Sequence, residues 1–487
     1  MNETLLLIGG EWVHAAPASN DVRFFHRLNP ISDKPVTRAA AGGITDVEAA
    51  VKAAAEAFPG WSATGPGKRR DLLLRAADIL AEHQREFIES MIAETGATEG
   101  WAAFNVAFGS SVLREAAAMT TQVTGEIIPS DVPDNLAMAI RQPMGVCLGI
   151  APWNAPVILG IRAIAMPLAC GNTVIFKASE SCPAVHCLIG TVLQEAGFPV
   201  GVLNILTNDP SDAAQVVGAL IDHPVVRHIN FTGSTRVGRM IAERAARHLK
   251  PVLLELGGKA PLIVLDDADL DAAVDAAAFG AFMNQGQICM STERIVVDER
   301  VADDFVARLS AKAAALPLKD PALGPAVLGA VVDRKSADRI AALIENAVVK
   351  GARLCAGGKR DRTLMQATVL DRVTSAMQIY AEESFGPVVT VVRVKGDEEA
   401  LRIANDTEYG LSAAIFGRDI ARAWSLARRV ESGICHINGP TVHDEAQMPF
   451  GGAKASGYGR FGGKAAIEEF TLLRWITVQT GARHYPF

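Results

Sequence analysis

Between residues 45 and 120 the apolar positions recur every three or four residues, the period of helices that bury one face. Runs rich in Ala, Leu and charge at 45–58, 66–95 and 97–120 carry this pattern. Before them, 5–13 (LLLIGGEWV) predicts strand, turn and strand around its Gly-Gly pair. After them, the turn-rich, alternating stretch from Thr124 to Arg141 predicts a β-hairpin or protruding arm. From Gly145 the texture changes. Short apolar runs at 145–150, 173–177, 202–206, 226–230, 252–256 and 261–265 predict strands, and 155–169, 181–196, 211–222 and 235–248 predict helices between them. Such alternation predicts right-handed βαβ units around a mostly parallel sheet. The style continues with helices at 269–284, 301–315 and 333–349 and strands at 292–298, 388–394 and 434–437. Two α/β domains are expected, with a boundary near 252–260. The segment 470–480 (FTLLRWITVQT) predicts an exposed edge strand able to pair with another subunit.

Composition adds exclusions. The chain has 487 residues, 49% hydrophobic and 21% charged, with net charge −7 and no block of like charges. This is an ordinary balance for an α/β enzyme and gives no nucleic-acid footprint. The apolar stretch from Val146 to Phe176 is the one candidate membrane span, but Pro152, Pro156, Arg162, Pro167 and Asn172 would be costly there. No signal peptide is evident at the N-terminus. Seven cysteines without a C-x-x-C pair or a Cys–His cluster point to reduced thiols in the cytoplasm and to no metal.

Four segments carry candidate chemistry. Phe231–Gly238 follows a strand and opens a helix, where backbone N–H groups can meet a phosphate. Its G-x-x-x-x-G spacing departs from the dinucleotide fingerprint, so it reads equally as a plain strand–helix turn. Lys177 and Glu180 close another strand and could hold the two hydroxyls of an adenosine ribose, or form a surface salt bridge. Glu255 precedes Gly257 and Gly258 and reads as a general base, a helix cap or a structural acid. Cys289, at the end of a helix candidate, reads as a buried inert thiol or, given a base and an oxyanion site, as a nucleophile.

Taken together and in order, these segments resemble the aldehyde dehydrogenase superfamily over nearly the whole chain. The motifs are Pro152–Asn154, Phe176–Lys177, Phe231–Ser234, Glu255–Lys259, Gly286–Cys289, Glu382–Pro387 and Pro449–Gly452. The resemblance implies an α/β fold with a Rossmann-type cofactor domain (1–121 and 141–252), a catalytic α/β domain (253–468) and a β-arm for oligomerisation (122–140 and 469–487). It implies Cys289 as nucleophile, Glu255 as general base, and Asn154 with the Cys289 N–H as oxyanion hole. For the cofactor it implies Ile150, Pro152, Trp153, Lys177, Glu180, Gly233, Ser234, Gly257, Glu383 and Phe385. NAD is expected, because Glu180 would repel a 2′-phosphate; NADP is the alternative.

The substrate end is narrower. Ile288 and Met290 beside the nucleophile, and the loop Asn438–Phe450, resemble the salicylaldehyde and vanillin dehydrogenase group. Trp101 and Arg162 suit a flat ring bearing a phenol, phenolate or carboxylate, with Arg162 expected near the same helix face as Asn154. The other reading of Arg162 is a salt bridge at a domain interface. Salicylaldehyde is the first expected substrate, with vanillin, another hydroxybenzaldehyde or a general aliphatic aldehyde as alternatives. A cytoplasmic homodimer or homotetramer with no nucleic-acid or membrane partner completes the expectation.

Overall fold

The computed structural model describes residues 1–17 and 23–487. Two large sheets organise it. The first has eight strands in the order Gly457–Tyr458, Val252–Glu255, Val226–Thr232, Val146–Ile150, Thr173–Lys177, Leu203–Leu206, Leu6–Ile8 and Glu11–Val13. Its five central strands are parallel. Numbered along the chain from Val146–Ile150, those five lie in the order 5-4-1-2-3. The order therefore reverses between Val146–Ile150 and Val226–Thr232, and a parallel sheet opens a crevice beyond its strand ends at such a point.

The second sheet has seven strands: Arg353–Ala356, Thr368–Asp371, Val388–Val394, Thr292–Asp298, Ala260–Val264, Ser412–Phe416 and Ile434–Ile437. All its pairings are parallel except that of Arg353–Ala356. The chain passes between the two sheets at 256–259, so Glu255 ends a strand of one and Ala260 begins a strand of the other.

The segment 146–177 forms a strand, a helix (Pro156–Ala169) and a second strand. All 14 residues of that helix are buried, which explains why its sequence is apolar all round. Among the described residues no helix is long and apolar enough to cross a membrane.

Three local expectations are corrected and a fourth, the edge strand, gains its partner. The run 66–95 is two helices, Pro66–Glu82 and Gln84–Thr95, because His83 leaves helical geometry and bonds Glu86 and Glu195 through its two ring nitrogens. The helix expected over 269–284 stops at Phe282. Asn284 and Gln285 then adopt left-handed backbone angles (φ 49° and 58°), so Cys289 lies on a loop and not on a helix end. Asn154 precedes the helix beginning at Pro156, so it shares no helix face with Arg162. The strand Thr471–Gln479 pairs over nine residues with Asn135–Pro143 of its own chain. It remains an edge of a three-stranded sheet completed by Glu126–Ile128.

Candidate active site

A groove of about 790 Å³ lies beyond the strand ends where the first sheet reverses order. Ile150, Pro152 and Trp153 border it from one strand end, Thr232, Gly233 and Ser234 from the next, and Lys177 and Glu180 from a third. Ser234 caps the helix Thr235–Ala246, its hydroxyl accepting from the Val237 N–H at 3.4 Å. The remaining first-turn N–H groups of that helix have no partner within it, which suits an anion. A Cβ at Gly233 would lie 2.4 Å from the Phe231 ring, so any larger residue at this turn would have to displace that ring. Lys177 and Glu180 pair with each other, and Asn208 donates to the same Glu180 oxygen at 3.0 Å. The salt-bridge reading of these two residues and their place at the groove therefore hold together.

Glu383 and Phe385 enter from the second sheet. Glu383 accepts from the Gly258 N–H at 2.8 Å, and burial pushes its carboxyl up to about 8. A Cβ at Gly257 would lie 2.7 Å from the Glu383 carboxylate. Phe385 has φ 47°, a costly angle for a side-chain-bearing residue, and meets Trp153 edge-on with centroids 5.8 Å apart. What holds it there is the buried Glu293, which accepts from the N–H groups of Ser384 and Phe385, each at 2.9 Å, and from the Ser384 hydroxyl. Lys259, itself buried, bonds Glu293 at 2.6 Å and the Glu382 carbonyl at 2.8 Å. Sequence reasoning missed this pair; the charge of Lys259 directly after two glycines was the available signal.

Cys289 is half-buried and Glu255 is buried. A Cβ at Gly258 would lie 2.2 Å from the Cys289 carbonyl oxygen, so glycine lets the base strand and the thiol loop touch backbone to backbone. Among the described residues neither Glu255 oxygen has a hydrogen-bond partner. Burial pushes that carboxyl up to about 7, with Cys289 and Arg162 pulling the other way. Burial and the adjacent Glu255 charge push the Cys289 thiol well above its ordinary value. Below about 7 the Glu255 carboxyl holds its proton, and once ionised its charge acts on the Cys289 thiol.

Asn154 reaches the same place from the turn after Val146–Ile150. Its Nδ2 donates to the Gln287 carbonyl at 2.9 Å, leaving its second N–H uncommitted. Its own carbonyl accepts from the Trp101 indole N–H and from Asn284 Nδ2, both at 2.9 Å. Gln285 and Gln287 fasten the rest of the thiol loop to the backbone of 329–332.

A second cavity, of about 220 Å³, opens on Cys289. Trp101, Ile288, Met290 and Phe450 line it, as does Arg162, so the structure brings all five expected substrate residues together. Phe104 and Phe108 extend the wall, stacked in series with Trp101 at centroid spacings of 5.5 and 5.6 Å. These two were missed, although their spacing from Trp101 (i, i+3, i+7) marks one helix face. Arg162 is ion-paired with Asp444 at 2.6 Å and lies over the Phe450 ring at 4.5 Å.

Residues 16–476 match the model of the aldehyde dehydrogenase family. The chain belongs to the aldehyde dehydrogenase family. Its members are oxidoreductases that use a nicotinamide dinucleotide. This aldehyde dehydrogenase is 62% identical to a vanillin dehydrogenase of Pseudomonas fluorescens, with all of both chains covered. It superposes with a TM-score of 0.98 on a salicylaldehyde dehydrogenase of Pseudomonas putida G7 complexed with salicylaldehyde, 51% identical over all of both chains. A betaine aldehyde dehydrogenase of Staphylococcus aureus in complex with NAD+ is 31% identical with a TM-score of 0.93, over 99% of this chain and 95% of its own. The family resemblance seen in the sequence motifs is thereby established, as is the fold. The groove suits a nicotinamide dinucleotide on the aldehyde dehydrogenase's own features: a volume of about 790 Å³ at the sheet's switch point, a capped helix N-terminus and a strand-end carboxylate.

Proposed function

We propose that this aldehyde dehydrogenase oxidises a hydroxylated aromatic aldehyde to its carboxylic acid with NAD. The observation that carries the reading is the cavity itself. It is small, walled by Trp101, Phe104, Phe108 and Phe450, and ends at the Cys289 thiol. Pockets for drug-sized ligands run from about 300 Å³ upward, so this volume suits a single ring. The names of the vanillin and salicylaldehyde relatives support the same class.

In this reading Glu255, ionised, takes the proton of Cys289, and the sulfur attacks the aldehyde carbon. The carbonyl oxygen becomes an oxyanion held by the free Asn154 amide N–H and the Cys289 N–H; such donors are typically worth roughly 10²–10³ in rate. Nicotinamide dinucleotide, when bound, supplies the acceptor for the hydride that leaves the adduct, so that Cys289 then carries a thioester. Once Glu255 has released the thiol's proton to solvent, it takes a proton from water, and the hydroxide oxygen adds to the thioester carbon. The C–S bond then breaks to free the acid, and Glu255 returns its proton to the departing Cys289 thiolate. Trp153, Glu383 and Phe385 position the nicotinamide end, with Ile150, Pro152 and Gly257 as backbone contacts. Gly233 and Ser234 receive the pyrophosphate. Lys177 and Glu180 receive the adenosine ribose, and the Glu180 charge disfavours a 2′-phosphate. We assign 1–121 and 141–252 to the cofactor domain, 253–468 to the catalytic domain, and 122–140 with 469–487 to an arm that joins subunits.

Steady-state kinetics over an aldehyde panel, with NAD and NADP in separate series, test this. Hydroxybenzaldehydes should exceed acetaldehyde and betaine aldehyde in kcat/KM, and NAD should exceed NADP. A preference for the short aliphatic aldehydes would overturn the aromatic reading.

A further inference from the structure

The wall of the ring cavity carries one buried charged pair. Arg162 projects from the buried helix Pro156–Ala169 and Asp444 from the loop before Phe450; their side chains are 6% and 12% exposed. Both border the cavity. One Asp444 oxygen, Oδ2, holds the guanidinium, while Oδ1 is buried without a hydrogen-bond partner among the described residues. His443, also at the cavity, is half-exposed and turns toward Glu445 at 3.1 Å. Glu255, on the thiol side, adds a second negative charge when ionised.

An unpaired arginine would make this part of the wall an anion site, welcoming a ring carboxylate or phenolate. Asp444 cancels that charge. It also leaves an ionised acceptor with unused capacity, which a neutral phenol O–H can satisfy and a carboxylate or a methoxy group cannot.

We propose that Asp444 is a specificity-determining residue: it admits rings bearing a neutral hydroxyl and excludes aldehydes that carry a carboxylate. The proposal rests on the aromatic-aldehyde reading. It narrows the phenol, phenolate or carboxylate expected from Arg162 alone to the first of these.

The test uses the full-length enzyme with saturating NAD. kcat/KM is measured for benzaldehyde and for the 2-, 3- and 4-hydroxy, methoxy and carboxy derivatives, with acetaldehyde as a reference for the class. Each value is divided by that of benzaldehyde for the same enzyme, so a general loss of activity cancels. The wild-type enzyme should favour hydroxyl over methoxy by about tenfold or more in at least one ring position. Every carboxybenzaldehyde should fall below benzaldehyde. The isosteric Asp444→Asn should collapse the hydroxyl-to-methoxy ratio toward one and raise the carboxyl ratio by about tenfold. Unmoved ratios in Asp444→Asn would overturn the proposal. So would wild-type turnover of a carboxybenzaldehyde matching that of its hydroxy counterpart, a result that stands even if the variant does not fold. Failure of the underlying reading looks different: acetaldehyde would then exceed benzaldehyde in the wild-type enzyme, which overturns both.

Discussion

The groove at the first sheet is about 790 Å³ and is bordered by lysine, arginine and glutamate; the ring pocket is about 220 Å³ and is walled mostly by carbon. One short turn serves both. Pro152 and Trp153 face the groove, and Asn154 and Ala155 face the pocket. The groove is assembled from strand ends that the parallel topology brings side by side. The pocket is assembled from side chains contributed by 100–108, 154–162, 279–290 and 442–450, segments far apart in the chain. A groove built from backbone turns changes little when a single side chain changes. A pocket built from side chains changes its ligand with each of them.

Three substitutions sharpen this contrast. The largest effect belongs between the cavities. Glu255→Gln should lower steady-state turnover by about 10²–10⁴-fold, the usual span for a lost general base. A first burst of reduced cofactor that survives while turnover collapses would assign Glu255 mainly to thioester hydrolysis. In the wild-type enzyme the base works only when ionised. Because burial pushes its carboxyl up to about 7, its ionised fraction falls about tenfold for each pH unit below that value. A pH profile of hydrolysis-limited kcat should therefore show an acid limb near 7, absent in Glu255→Gln; a limb near 4 would place the base elsewhere.

Next, Glu180→Ala alters the groove alone. It should improve NADP relative to NAD by roughly tenfold, comparable to removing one close charge repulsion, and leave the ranking of aldehydes as it was. A changed ranking would show that the cavities are coupled.

Trp101→Phe should have the smallest effect. It keeps the ring but removes the 2.9 Å bond to the Asn154 carbonyl, which Asn284 still holds. A neutral hydrogen bond is worth about 1 kcal/mol, so kcat should drop roughly fivefold with cofactor KM unchanged. A fall in affinity for aromatic aldehydes with kcat intact would make Trp101 a wall only.

These differences also explain what could be read from the chain. Strand and helix positions from Gly145 to Val264 were legible because the strands of the first parallel sheet are largely buried on both faces and read as short apolar runs. In the second sheet the equally buried Thr368–Asp371 and Ser412–Phe416, short and opening on a hydroxyl residue, went unmarked. The Phe231–Gly238 turn was ambiguous by spacing, and only the strand order resolved where it sits. Cys289 was placed on a helix end because Asn284 and Gln285 carry no sequence mark of left-handed backbone. Their angles are fixed by contacts to Asn154 and to residues 329–330, more than forty positions away on either count. Arg162 was legible as an oddity in an apolar helix. Its partner Asp444, 282 residues later, was not. Removing one member of such a buried pair generally costs about 3–5 kcal/mol, which is why neither residue can be interpreted without the other.

Gly258 has a consequence of its own. Because the Cys289 carbonyl oxygen occupies the space where a Cβ would sit, the separation between the thiol loop and the chain leaving Glu255 is set by two main chains in contact, and the rotamers of the two side chains act from that fixed baseline. The seam between the sheets is thus a fixed gauge. A substitution in the wall of the ring pocket leaves that backbone contact in place, so the ligand can change while the baseline between acid and thiol does not.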